Sequence, residues 1–142
     1  MRFMMLVKAN KDSEAGVLPT REMLEAMGKY NQELIDAGAL LAGDGLHPSS
    51  KGARIKFSNG KTTITDGPFP ETKELLAGYW VIDVKSRDEA IEWARRIPFS
   101  EGEEVEIRQL FEVTDFPADI LPPEEAAREQ AFRDKQTKAA KR

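Results

Sequence analysis

The order in which strand-like and helix-like segments follow one another constrains this chain most. Phe3 to Ala9 is a continuous apolar run, suited to a strand buried on both faces. Asn10 to Gly16 is polar and turn-like. A helix then starts near Pro19-Thr20, where Met23, Met27, Tyr30 and Leu34 fall at i, i+4, i+7 and i+11. Leu24 and Ile35 widen that stripe. Gly38 stands where a helix stops, as a C′ glycine, and Ala39 to Ala42 follows as a second strand. Further on, Gly78 to Val84 is rich in β-forming residues. Ser86 and Glu89 then make a capping box. The helix they open carries Ala90, Ile91, Ala94 and Ile97 inward, and Pro98 ends it. Glu104 to Val113 reads as the last strand, with Val105, Ile107, Phe111 and Val113 on one face.

Between these two halves lies a hairpin. Ile55 to Ser58 and Lys61 to Ile64 flank Asn59-Gly60, a pair that supplies the positive φ angles of a type I′ turn. Phe57 then faces Thr62, and Ile55 faces Ile64. The order β-α-β, inserted hairpin, β-α-β defines an α+β fold, a ferredoxin-like β-α-β repeat over residues 1–113 with helices on one face. The other face is left open, and an apolar face of that breadth is costly in water. Pairing two sheets is therefore expected, as a homodimer. Residues 114–142 are of another composition. Phe116-Pro117 and Leu121-Pro122-Pro123 form a stiff connector. Pro123 suits position N1 of a C-terminal helix, with Glu124 and Glu125 early and Lys135, Lys138, Lys141 and Arg142 late. Phe132 is its sole large apolar residue, so this helix docks weakly, packs on a partner subunit, or frays.

A formal charge of −4 argues against a nucleic-acid partner. The absence of cysteine excludes a disulfide framework, a thiol nucleophile and a thiolate metal site; with a single histidine, no metal and no cofactor is expected. No run approaches the ~18 apolar residues of a membrane span, and the first residues lack a signal-peptide pattern, so the expected location is cytoplasmic with no membrane partner.

Asp66-Gly67-Pro68-Phe69-Pro70-Glu71-Thr72-Lys73-Glu74 is the densest unusual stretch. Two roles fit Asp66. It can be a general base or substrate anchor beside Lys73, whose ammonium would lower the carboxylate's pKa and attract an anionic molecule. It can instead cap a turn, since Asx side chains bond nearby backbone amides and Pro fixes the next φ. Lys73 is the second catalytic candidate, and Glu71 a ligand-binding one. Asp44, between Gly43 and Gly45, marks a point of close ligand approach or a bulge. His47 sits in a Pro-Ser-Ser loop, as a ligand-binding candidate or an exposed loop residue. Tyr79 and Trp80 alternate across a strand, so one faces the helices and the other the open face. Tyr79 is taken as a ligand-binding candidate.

These stretches resemble the DGPF family of YCII-related proteins. The nine residues from Asp66 to Glu74 match its Asp-Gly-Pro-Phe-Ala-Glu-Thr-Lys-Glu pattern except at Pro70. Leu41 to Pro48 is similar to its Leu-x-Gly-x-Gly-Leu-x-Pro segment, and Gly78 to Asp83 to its Gly-Tyr-x-x-x-Asp/Glu strand. The resemblance implies a dimeric α+β barrel. It leaves open either a small-molecule enzyme using acid–base chemistry in the dimer cleft, or a metabolite-binding regulatory module linked to an extracytoplasmic-function sigma factor. In the wider group a first-helix histidine and an aspartate form the suspected acid–base pair. The first helix here has no histidine, with Tyr30 the nearest substitute, so that pairing is not transferred to His47.

Overall fold

A computed structural model describes residues 1–141, leaving Arg142 of the expected basic helix end outside the described residues. Strand β1 (Arg2–Lys8) opens the chain, followed by one helical turn, α1 (Lys11–Glu14). That turn falls where only a polar turn was expected; Asn10 caps it by accepting from the Ser13 amide. Helix α2 (Arg21–Asp36) starts where Thr20 accepts from the Met23 amide and stops before Gly38, whose φ is +69°. Strand β2 (Leu40–Gly45), the hairpin β3 (Ala53–Ser58) and β4 (Lys61–Asp66), and β5 (Leu76–Asp83) follow. Helix α3 (Arg87–Arg95), β6 (Val105–Gln109) and α4 (Pro123–Ala140) complete the order.

The four long-range strands form one antiparallel sheet in the order β2-β5-β1-β6. This is the ferredoxin-like arrangement, with β3 and β4 as a separate two-stranded ribbon. Alternation decides what each face holds. Phe3 and Met5 of β1 and Trp80 and Ile82 of β5 point toward the helices. There they meet Tyr30 and Leu34 of α2, Ala90 and Trp93 of α3, and Ile97. Trp93 is a core residue that the inward stripe read from α3 did not include. The Ser86 hydroxyl does accept from the Glu89 amide, but Glu89 reaches back to the Lys85 amide rather than to that of Ser86.

On the outer face, Met4, Leu6, Tyr79 and Val81 are half-buried, so β1 is fully buried on one side only. Helix α4 packs against β2 on that side, and its Lys141 pairs with Asp83 at 2.9 Å. It does so with polar side chains: Arg133, Gln136 and Thr137 border a gap of about 300 Å³ beside Met4, Leu41 and Val81. Phe132 points elsewhere and is 57% exposed. The last strand stops earlier than its apolar alternation implied. Phe3 pairs with Gln109, and β1 has almost no residue left beyond that point to extend the ladder. Phe111 therefore leaves the sheet and stacks on Phe116 at 5.1 Å. No helix of the described residues is long and apolar enough to cross a membrane.

Candidate functional site

The register of β2 against β5 builds the main cavity. Gly43 lies opposite Trp80 and Asp44 opposite Tyr79. A Cβ at Gly43 would come within 2.8 Å of Trp80 Cδ1, so glycine there lets the indole lie flat against the edge strand. Tyr30 and Phe99 pack around the same ring, with centroids 5.6 and 6.4 Å away. The indole N–H donates to Asn31 Oδ1 at 2.8 Å. Beside Trp80, between the first turns of α2 and the strand edge, opens a cavity of about 460 Å³. Met23, Leu24, Met27 and Phe99 supply apolar walls, and Asn31 and Glu103 are polar residues of the lining; Asp44 and Tyr79 border it at the strand edge, with side chains turned by alternation to the face opposite Trp80. The apolar stripe of α2 thus divides by depth. Tyr30 and Leu34 are buried in the core, while Met23 and Leu24 remain largely exposed at the cavity.

The Tyr79 hydroxyl donates to Asp44 Oδ2 at 3.1 Å. That hydrogen bond, reinforced by the carboxylate's charge, raises the pKa of the phenol. Among the described residues no lysine, arginine or histidine lines this cavity, whereas Glu103 does.

The Asp66 loop forms a second place, and Ser49 is its hub. Ser49 donates through both its amide and its hydroxyl to the Glu14 carboxylate, and its Oγ accepts from the Phe69 amide at 3.0 Å. The Gly67 amide donates to Gly52 O at 3.0 Å, and a Cβ at Gly67 would overlap the Ser49 carbonyl. The glycine of the motif is therefore demanded by a backbone 18 residues earlier. The Arg54 guanidinium lies 4.0 Å from the centre of the Phe69 ring. An open depression of about 480 Å³ lies here, bordered by His47, Lys51, Arg54, Phe69 and Glu74.

The candidates read from the sequence thus part company. Asp44 and Tyr79 are joined by a hydrogen bond on the outer face of the sheet, at the strand edge that borders the main cavity. His47 is exposed at the second depression. Asp66 and Lys73 are exposed, and among the described residues neither side chain takes part in a hydrogen bond or an ion pair. The turn is consequently held by Ser49 and not by an Asx bond from Asp66. Glu71 is exposed with φ of +62°, and its carbonyl accepts from the Glu74 amide at 2.9 Å. Asn31, Ser49 and Glu14 escaped the sequence reading. For Asn31 a signal existed: an amide four residues after Met27 interrupts the apolar side of α2. Among the described residues no cluster of three or more His, Cys, Asp or Glu side chains is arranged to hold a metal ion.

Fold and site together define a ferredoxin-like α+β protein with a ligand-sized cavity between its first long helix and the sheet edge. The chain belongs to the YCII-related domain family, which it matches over residues 1–114. An uncharacterised protein of Rhizobium meliloti (strain 1021) is 37% identical over 73 residues, 51% of this chain. That match spans 59% of the relative's own length. Among solved structures, the 5-chloro-2-hydroxyhydroquinone dehydrochlorinase of Burkholderia phenoliruptrix AC1100, in complex with 2,5-dihydroxybenzoquinone, is similar with a TM-score of 0.45. It is 14% identical, and the match covers 82% of this chain and 100% of that one.

Proposed function

We propose that this protein takes a small, neutral, largely apolar molecule into the cavity over Trp80 and acts on it by acid–base chemistry, with Glu103 as the general base. The observation that carries the reading is an otherwise apolar, ring-sized cavity whose lining includes the carboxylate residue Glu103 and the Asn31 amide. The Ser100 amide donates to one Glu103 oxygen at 2.6 Å and leaves the other free for a proton. The reaction class is proton transfer, such as isomerisation or elimination. An anionic substrate, attractive while Lys73 was the expected partner, is disfavoured by a lining that carries Glu103 and, among the described residues, no cation.

The test is proton exchange at carbon. In D2O, the protein should speed deuterium uptake into the α-positions of a small cyclic ketone such as cyclohexanone, followed by NMR. Glu103→Gln should lower that rate on the order of a hundredfold, as loss of a general base does. A second reading, a non-catalytic metabolite-binding module serving an extracytoplasmic-function sigma factor, is favoured by a specific observation. Asp66, Lys73 and the single histidine all lie off this cavity's wall. Ketone binding at Trp80 without exchange above buffer would select that reading.

The working assembly proposed with this function is a homodimer. It is supported by the apolar stripe Ile55, Phe57 and Ile64, which is 53%, 80% and 68% exposed in the single chain. The proposed location is the cytoplasm, where a chain without cysteine forgoes nothing.

A further inference from the structure

We infer that Asn31 is the residue that selects the ligand, by presenting two N–H donors to a neutral carbonyl oxygen. The inference rests on the cavity reading above and names its substrate class. A side-chain amide has one accepting oxygen and one donating nitrogen, and its orientation is set by its hydrogen-bond partners. Here the Trp80 indole N–H, a donor only, occupies Asn31 Oδ1 at 2.8 Å. The indole cannot swing away, because Gly43 lies beneath it and Tyr30 and Phe99 pack around it. The amide is thereby locked with its nitrogen as the remaining polar end. No protein acceptor takes those N–H groups among the described residues, and Asn31 lines the cavity.

Donors at the wall of an apolar cavity reward a ligand that brings an acceptor and penalise one that does not. The acceptor should be uncharged, because Glu103 shares the wall and, among the described residues, no cation does. A planar ring bearing a ketone, aldehyde or amide oxygen fits the two conditions, with its ring against Trp80, Phe99 and Met27.

Three probes of matched shape test this: acetophenone, ethylbenzene and benzoate, titrated into the full chain and read by the NMR shifts of the Trp80 indole N–H and the Asn31 side-chain amide. Acetophenone should bind roughly five- to tenfold more tightly than ethylbenzene, the worth of one net hydrogen bond. It should move the Asn31 amide protons, which ethylbenzene should leave in place, and benzoate should bind more weakly than acetophenone. Asn31→Asp keeps an acceptor for Trp80 but has no donor; it should erase the ketone's advantage and leave ethylbenzene affinity within about twofold. Equal binding of ketone and hydrocarbon, with the Asn31 protons unmoved in the unaltered chain, overturns the role of Asn31 and leaves the cavity standing. Tightest binding by benzoate overturns the uncharged acceptor. Failure of every probe to shift the Trp80 indole overturns the cavity reading itself.

Discussion

At Gly67 the space a methyl group would need is already filled by the Ser49 carbonyl. Both are backbone groups, so neither can turn aside. Gly67→Ala should therefore cost about 3 kcal/mol, at the upper end of overpacking penalties, and a urea melt reads it directly. Ser49→Ala removes the acceptor of the Phe69 amide and two bonds to Glu14, and should cost about 1–2 kcal/mol. Asp66→Ala, Asp66→Asn and Lys73→Met should each stay within ~0.5 kcal/mol, since these side chains hold nothing. An Asp66→Ala variant clearly less stable than Ser49→Ala would restore Asp66 as the turn's anchor. Tyr30 makes a prediction of a different kind. Burial, against the pull of Arg96, drives its phenol pKa strongly upward, and its hydroxyl donates to Trp93 O at 2.6 Å. The native state keeps a proton that the unfolded chain gives up near pH 10. Its contribution is therefore complete below that pH and lost as the pH rises above it. Denaturation at pH 9 and pH 11 should show the parent losing more stability between the two than Tyr30→Phe does.

Among the elements, α4 and the β3–β4 hairpin are attached least firmly. Helix α4 has no buried residue and meets the sheet through Arg133, Gln136 and Thr137. Asp83, which burial alone would make harder to ionise, is held below its ordinary pKa by Lys141 and the N-terminal ammonium. That anchor is present above the usual carboxylate pKa and fails as the pH falls through the lowered value. Truncation after Leu121 should leave circular dichroism of a folded sheet and a loss of about 1–2 kcal/mol, because little apolar area is uncovered. A variant that no longer folds would make α4 integral. The hairpin is the reverse case. Its turn follows directly from Asn59 and Gly60, with φ of +50° and +74°, and its pairs match those read from the sequence, Phe57 with Thr62 and Ile55 with Ile64. Yet every residue of both strands is exposed. A two-stranded ribbon is marginal in water without a neighbour for its apolar side.

Over the whole molecule, among the described residues, apolar surface remains at the hairpin stripe and the outer sheet beside α4, and also at Leu18, Leu24, Phe111 and Ile120. If a second copy covers the stripe, light scattering should give twice 15.9 kDa at micromolar concentration. Phe57→Ser should then shift the population toward monomer, with the fold intact. A parent of 15.9 kDa that Phe57→Ser leaves unchanged would remove the dimer. Element order, the type I′ turn, the Ser86 cap, the Gly38 stop and Pro123 at the start of α4 were all legible from residues, because each depends on partners within a turn or two. So was the family, from the Asp66 to Glu74 stretch. Where the site lies was not legible. Asn31 and Trp80 are 49 residues apart, Asp44 and Tyr79 are 35 apart, and Ser49 and Phe69 are 20 apart. Local chemistry sets none of these distances; the register of β2 on β5 and the packing of α2 over Trp80 set the first two, and the closure of the Asp66 loop on Ser49 sets the third. The sequence by itself determined which segments become strands, helices and turns. Only the tertiary structure decided that the conspicuous Asp66 motif braces a loop while an unremarked asparagine faces the cavity, since a side chain's role there depends on which distant backbone arrives beside it.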